Sequence, residues 1–180
     1  TSTTIRIRAQ AISPILPLYV RALGQRDNLI FVSGMIVSAM GVSSMLFSGW
    51  MGKLGDRIGN HRLLLIALLY SGCLYILCAQ AQSPLQLGIL RFLFGIGTGA
   101  LLPGVSALLN RLTPPEGISR IFSYNQLFYY LGGVLGPMMG SSIFMHFGYH
   151  WVFYGTALLA FTDLMVLFLL FRKYLKVIAV

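Results

Sequence analysis

The chain has 180 residues, of which 57% are hydrophobic and only 9% are charged, and its mean hydropathy is +0.79. With 13 basic and 4 acidic residues, it carries a formal net charge of +9. So little charge cannot cover a water-facing surface in the usual way, which excludes an ordinary soluble domain and indicates a membrane protein.

A membrane-spanning helix needs roughly 20 mostly apolar residues. The sequence contains six apolar runs of about that length, near 3–20, 30–51, 63–81, 85–109, 121–145 and 151–171. We therefore predict an all-α membrane protein with six transmembrane helices. The first run starts at the first residue, without a methionine or a basic leader, so we expect the chain to be a fragment of a longer polypeptide.

The polar residues of the first run lie on one side of the predicted helix. At about 100° per residue, Arg8 points nearly opposite to this stripe. The stripe consists of Thr3, Arg6, Gln10, Ser13 and Pro17. Alternatively, a truncated start leaves this segment partly in the cytoplasm.

The stretch GKLGDRIGNHR, residues 52–62, concentrates charge and glycine in an otherwise apolar chain. We predict that it forms the cytoplasmic turn between the second and third helices. Glycines allow tight turns and close helix approach, a carboxylate can accept from N–H groups at the start of another helix, and arginines can bind helix-terminal carbonyls. Two interpretations stay open, namely an ordinary basic loop or an ordered contact made by Gly52, Gly55, Asp56, Arg57, Gly59 and Arg62.

The basic residues lie mainly on one side of the predicted membrane. The connections after the second and fourth runs and the tail after the sixth hold Lys53, Arg57, Arg62, Arg111, Arg120, Arg172, Lys173 and Lys176, whereas the opposite connections hold Arg21 and Arg26 beside Asp27. Since cytoplasmic loops carry an excess of Lys and Arg, both ends of the chain are predicted to be cytoplasmic. The charge thus reports topology, and no nucleic-acid partner is expected, because aromatic residues are not interleaved with a basic stripe.

The fourth run contains an arginine at membrane depth. Arg91 lies roughly 12 Å from the outer boundary at about 1.5 Å per residue. Its stripe on the predicted helix consists of Gly88, Arg91, Gly95, Gly99 and Ser106. Intramembrane charges face a bundle interior or an aqueous cavity, and glycine stripes allow close helix packing. We therefore place Arg91 in a cavity or between helices, with snorkelling to the outer surface as the alternative.

The fifth run combines a glycine face with a proline. Gly132, Gly136 and Gly140 share one face and Pro137 interrupts the hydrogen-bond ladder, which predicts a bendable and closely packed helix. Nearer the cytoplasm, the polar residues expected to meet water or another helix, and predicted to line a substrate cavity together with Arg91, are Tyr124, Asn125 and Gln126. The alternative for these three is an interhelical hydrogen bond with no role in ligand binding.

Asp163 is the acidic residue that lies deep in a predicted helix, in the sixth run. Inserting an aspartate at the bilayer centre costs about 2.5–3.5 kcal/mol of free energy, so an aspartate at that depth usually has a function. Asp163 is therefore a candidate proton site. A structural hydrogen bond or salt bridge is the favoured interpretation, because the residue is only about two turns from the cytoplasmic end. No metal site is predicted, since none of His61, His146 and His150 is paired at ligand spacing with Asp, Glu or Cys.

Three motifs together resemble major facilitator transporters of the drug:proton antiporter type. GKLGDRIG resembles the signature loop between the second and third helices of a six-helix half, and GVLGPMMG, preceded by Gly132, resembles the antiporter motif of the fifth helix. Arg91 with Gly95 resembles the arginine motif of the fourth helix. The resemblance covers essentially the whole chain, but Asn60 and His61 stand where the family's loop has two basic residues.

The resemblance implies that the chain is the second six-helix half of a major facilitator fold, built from two inverted three-helix repeats. The domain then comprises a first repeat plus the fourth helix over 1–109, a cytoplasmic loop over 110–120, two helices over 121–171 and a basic cytoplasmic tail over 172–180. The implied function is secondary active, proton-coupled efflux of drugs or other small hydrophobic molecules by alternating access, in the bacterial cell membrane. Alternatives are transport of a polar metabolite such as a sugar, or a non-transporting membrane subunit.

The resemblance also assigns roles to residues. It puts the first helix beside the central cavity, so Arg6 and Gln10 are expected to line the substrate path, with Arg8 facing a neighbouring helix or the cytoplasmic interface. Its signature loop latches the cytoplasmic side against the opposite half, which makes that half, or a second copy, the expected partner of Asp56. Other partners are protons, lipid and a small-molecule substrate. No cofactor is expected besides the proton gradient, and no enzyme activity, because no catalytic set of residues is present.

Overall fold

The computed structural model describes residues 2–24, 28–114 and 117–178, and their side chains except at 102, 111, 112 and 173–178. These residues form seven α-helices. They are α1 (Ser2–Ile12), α2 (Leu16–Ala22), α3 (Leu29–Ile58), α4 (Asn60–Ala79), α5 (Pro84–Leu112), α6 (Ile118–Phe147) and α7 (Tyr149–Ile178). The all-helical prediction is confirmed for the described part of the chain.

Five helices, α3 to α7, are long and apolar enough to cross a membrane. The predicted first span over 3–20 is instead divided, because α1 ends at Ile12 and α2 begins at Leu16. Pro14 explains the break, since a proline has no N–H and its ring clashes with the carbonyl four residues earlier. Pro17 sits in the first turn of α2, where proline is tolerated. Six spans and two inverted repeats stay predictions.

The helices extend beyond the predicted boundaries. Because α5 runs to Leu112 and α6 begins at Ile118, the predicted loop over 110–120 is shorter, and its residues 115–116 lie outside the described residues. The predicted tail over 172–180 is helical as far as Ile178, with 179–180 outside. Residues 25–27, which include the outer-side charges Arg26 and Asp27, also lie outside the description. A helix satisfies its own backbone hydrogen bonds and need not end at the membrane surface.

The start of α5 is fixed by its sequence. The Ser83 side chain accepts a hydrogen bond from the backbone N–H of Gln86 at 3.2 Å, and the Gln86 side chain accepts from the N–H of Gln82 at 3.0 Å. Pro84 follows the cap, in a position where its missing N–H costs nothing. This capping arrangement sets where the arginine of α5 enters the apolar interior.

Four extensive helix pairings build the bundle: α3 with α5, α1 with α6, α4 with α5, and α4 with α7. The central element is α4, whose most apolar window is 56% buried, whereas the corresponding windows of α3 and α6 are 17% buried. The outward faces of α3 and α6 therefore carry exposed apolar side chains, as helices that meet lipid or another protein segment do.

Candidate functional site

A seam of glycines in α6 holds α1. A Cβ added to Gly136 would lie 2.8 Å from the carbonyl oxygen of Ile7, and one added to Gly140 would overlap the carbonyl oxygen of Ala11. Gly132 faces Thr3 and the Cβ of Arg6 in the same way. The face predicted for these glycines thus packs on the backbone of α1, and α6 stays helical through Pro137.

A second glycine seam joins α5 to α3. A Cβ added to Gly95 would overlap the carbonyl oxygen of Met40, and one added to Gly99 would lie 3.0 Å from that of Ser44. Gly88 continues the same face toward Ile36, at 3.6 Å. The two seams fix two helix pairs, α1 with α6 and α3 with α5, at backbone distance.

A cavity of about 360 Å³ lies between these two pairs and α4. Aliphatic, aromatic and thioether side chains form most of its wall, and the polar remainder consists of arginines, tyrosines and small hydroxyl side chains. The lining comprises Ile5, Arg6, Arg8, Ala9, Met40, Ser44, Met45, Ser48, Ser71, Tyr75, Phe94, Thr98, Gly99, Leu101, Pro103 and Tyr129. An apolar cleft with a few converging polar groups is the usual form of a small-molecule site.

The small hydroxyl side chains of the cavity are already engaged as donors. Ser44, Ser48 and Ser71 each donate to a carbonyl three residues earlier in their own helix, at 2.9, 3.1 and 3.0 Å. Thr98 does the same to Gly95 at 3.1 Å. These groups can accept hydrogen bonds from a ligand, but they offer it no free donor.

Arg6 reaches the cavity from α1. Its Nη1 atom donates to the Tyr129 hydroxyl at 3.1 Å, and its Cζ atom lies 4.8 Å from the centre of the Tyr129 ring. The Nε atom is buried and has no hydrogen-bond partner in the described part of the chain. Because the described lining of the cavity contains no carboxylate, the charge of Arg6 is not neutralised there.

Arg8 lies on the other side of α1 and meets α7. Its Nη2 atom is 3.6 Å from Oδ2 of Asp163, and the two side chains are 2% and 10% exposed. At this distance the contact is an ion pair without a hydrogen bond, and neither atom has a hydrogen-bond partner among the residues that the structure describes. Arg8 Nε donates to the carbonyl of Thr4 at 3.3 Å. The salt bridge considered for Asp163 is therefore present, and its partner is Arg8.

Arg91 is buried between helices at 7% exposure. Its Nη1 atom lies 3.9 Å from the sulfur of Met40, and its Cζ atom lies 6.0 Å from the centre of the Phe153 ring. Nε and Nη2 are buried, and no described residue accepts a hydrogen bond from them. The structure thus places Arg91 behind the cavity wall, between α3, α5 and α7, and not in the described lining.

Of the six residues predicted to line a substrate path, only Arg6 belongs to the described lining of this cavity. The Cβ of Gln10 packs on Gly136, so this side chain starts in the seam. Asn125 accepts a hydrogen bond from the Ser2 hydroxyl at 2.5 Å, while Tyr124 and Gln126 are exposed. Helical periodicity predicts which face of a helix a residue lies on, but it does not predict how far along the helix the cavity extends.

The charged stretch 52–62 is not a turn over its whole length, contrary to the prediction. Helix α3 continues to Ile58, and Gly59, at φ 93°, is the single residue between α3 and α4. Gly55 lets Asn60 and Leu63 approach, because a Cβ there would overlap Asn60 Oδ1. The side chains of Asp56, Arg57 and Arg62 are exposed, while Gly52 has nothing within 4 Å of an added Cβ.

Two features of the site escaped the sequence prediction. Pro103 lies inside α5 and lines the cavity, and it leaves the carbonyl of Gly99 without its usual intrahelical donor. Tyr19 is buried at 1% exposure and donates to the carbonyl of Cys78 at 3.0 Å, which ties α2 to the end of α4. A proline inside an apolar run signals the first feature, but no local pattern signals the second.

The fold is a bundle of apolar helices around a cavity, and the sequence comparison gives its family: the chain belongs to the Major Facilitator Superfamily, whose sequence model matches residues 2–177. It is 60% identical over 177 residues to the multi-drug resistance efflux pump PmrA of Streptococcus pneumoniae serotype 4, covering 98% of this chain and 44% of that protein. It is 48% identical over 158 residues to the multidrug resistance protein MdtG of Escherichia coli O1:K1, covering 87% of this chain and 39% of that protein.

A solved structure shows the same fold. The crystal structure of the human organic anion transporter MFSD10 (TETRAN) superposes with a TM-score of 0.71 at 22% identity, covering 93% of this chain and 45% of that protein. The chain therefore spans less than half the length of these relatives. Membership in a transporter family is consistent with the prediction that the chain is not an enzyme.

Proposed function

We propose that this chain forms the second six-helix half of a proton-coupled efflux transporter for drugs and other small hydrophobic molecules. Two relatives support the substrate class: one at 60% identity is named a multi-drug resistance efflux pump, and one at 48% identity is named a multidrug resistance protein. Their greater length supports a half-transporter, because the chain covers 44% and 39% of them. The rest of the native polypeptide, or a second copy, then completes the central path.

The single observation that carries this proposal is the cavity of about 360 Å³. Its wall is mainly apolar, and its serine and threonine hydroxyls donate within their own helices. A sugar needs many free donors and acceptors, so this lining suits a hydrophobic compound better than a polar metabolite. A purely structural membrane subunit would have no need of such a cavity.

Alternating access is supported by the way the bundle is divided. The helix pairs α1 with α6 and α3 with α5 lie on either side of the cavity, and each is held together by a glycine seam. Because each seam joins a helix of one predicted repeat to a helix of the other at backbone distance, we expect this half to move as one body, which suits its rocking against the opposite half. In this proposal both ends of the chain face the cytoplasm.

The proton gradient supplies the energy for efflux in this proposal. Since Asp163 is already paired with Arg8 at 3.6 Å, the coupling carboxylate belongs to the rest of the polypeptide. The exposed Asp56 at the end of α3 serves as a cytoplasmic latch toward the other half.

Dye flux in proteoliposomes tests the proposal. The native polypeptide that carries this chain should export a hydrophobic dye with saturable kinetics, and an imposed pH gradient should drive the export. Dissipating the gradient with a protonophore should abolish accumulation. Flux that rises linearly with dye concentration and ignores the gradient would point to a channel or a subunit without transport activity.

A further inference from the structure

The charges around the cavity do not balance. Arg6 and Arg8 both line it, and Asp163 neutralises Arg8 at 3.6 Å. Asp56, the other acidic residue among the described residues, is exposed near the end of α3. Arg6 therefore keeps its full charge beside an apolar wall.

The guanidinium of Arg6 is held in place. Its Cβ packs on Gly132, its Cζ atom lies over the Tyr129 ring at 4.8 Å, and Nη1 donates to the Tyr129 hydroxyl at 3.1 Å. The buried Nε atom has no acceptor among the described residues, but it faces Gly133 of α6, so the donors left for a ligand are on the Nη groups. A positioned cation with unused donors is prepared for an anionic acceptor, which would form a charge-assisted hydrogen bond.

The rest of the cavity wall indicates what kind of molecule carries that anionic acceptor. The serine and threonine hydroxyls of the lining donate to their own helices, so the arginines are the main source of free donors. Of the two arginines in the lining, Arg8 is paired with Asp163, whereas Arg6 has no carboxylate beside it among the described residues. Met40, Met45 and Phe94 offer thioether and aromatic surface for the body of a ligand. Burial of an unpaired charge against such a surface is costly unless a ligand compensates it.

We propose that this cavity selects compounds with an apolar body and one carboxylate or similar oxyanion, and that Arg6 binds this group. The assignment rests on the proposed transport function and names its substrate class. It distinguishes organic anions and zwitterions from simple lipophilic cations, which Arg6 repels.

A matched pair of dyes isolates the anionic group: a rhodamine free acid and its methyl ester, which differ only in the carboxylate. Binding of each dye to the purified native polypeptide is measured by fluorescence anisotropy. The variants are Arg6→Gln, Arg6→Lys as a charge-retaining rescue, and Arg21→Gln as a control at an exposed arginine of α2. Thermal unfolding of each variant monitors its fold.

We expect the wild type to bind the free acid more tightly than the ester. Arg6→Gln should weaken binding of the free acid about tenfold, the order of magnitude for one charge-assisted contact, and change ester binding less than about twofold. Arg6→Lys should recover part of the loss, and Arg21→Gln should bind both dyes as the wild type does.

Equal effects of Arg6→Gln on both dyes would overturn the assignment, because Arg6 would then serve the fold or pair with a carboxylate from the rest of the polypeptide. A wild type that binds both dyes equally also overturns it, while leaving the proposed function in place. A wild type that binds neither dye overturns both proposals.

Discussion

Nη2 of Arg8 lies 3.6 Å from Oδ2 of Asp163, and this ion pair joins the first helix of the chain to the last. Both side chains are buried, at 2% and 10% exposure. Removing one partner of a buried pair leaves an uncompensated charge, whereas replacing both with apolar residues is often tolerated. Variants of this pair can therefore show whether Asp163 stabilises the fold or carries the coupling proton.

Asp163→Asn should destabilise the protein by about 3 kcal/mol, the lower end of the range for a broken buried pair, because the two groups are not hydrogen-bonded. The double variant Arg8→Met with Asp163→Leu should recover most of the thermal stability. Per folded molecule, dye efflux and its pH dependence should be nearly unchanged in Asp163→Asn. Loss of proton coupling at normal stability would make Asp163 the coupling site instead.

The close packing of α1 on α6 predicts that one added methyl group lowers the stability of the protein. In Gly140→Ala the new Cβ overlaps the carbonyl oxygen of Ala11, so α1 must shift at a cost of roughly 1–3 kcal/mol. Gly133→Ala is the matched control in the same helix, since its Cβ would meet Arg6 Nε at an ordinary 3.5 Å. Equal unfolding temperatures for the two variants would contradict the packing described for this seam.

Helices and seams could be predicted from the sequence, because hydropathy marks apolar runs and helical spacing puts Gly132, Gly136 and Gly140 on one face. The break between α1 and α2 follows from Pro14, although hydropathy alone merged the two helices. The partners of Arg8 and Tyr19 could not be predicted. Periodicity gives the direction of a side chain relative to its own helix, whereas these contacts depend on which distant helix packs beside it.

The hydrogen bond of Tyr19 predicts a smaller loss of stability when its hydroxyl is removed. Its hydroxyl donates to the Cys78 carbonyl at 3.0 Å, at the end of α4 where carbonyls lack intrahelical donors. Tyr19→Phe should lower the free energy of unfolding by about 0.5–1.5 kcal/mol, the net value of one hydrogen bond. Tyr130→Phe, at a residue 61% exposed, is the control and should leave thermal unfolding unchanged. The same small change in both variants would remove the anchoring role of Tyr19.

Asp56 tests the latch at the end of α3. Its side chain is exposed, and no hydrogen bond or ion pair of Asp56 is found among the described residues, so its carboxylate is free to meet a helix of the opposite half. Asp56→Asn should slow efflux about three- to tenfold, since a charge at a helix N-terminus contributes about 1 kcal/mol. Membrane insertion should stay normal, because no basic residue is removed. Failed insertion with normal specific activity would reduce the stretch to a topology marker.

The central claim is that the cavity between the two helix pairs is part of the substrate path. Ser44 lines it, so Ser44→Cys can report on it in a Cys73→Ala, Cys78→Ala background. The measurement is the rate at which a membrane-impermeant maleimide labels this thiol in right-side-out and inside-out vesicles. We predict labelling from the cytoplasmic side that falls several-fold with saturating dye and changes sidedness when a proton gradient is imposed. Labelling that is indifferent to dye and gradient, in a variant that still transports, would contradict the account.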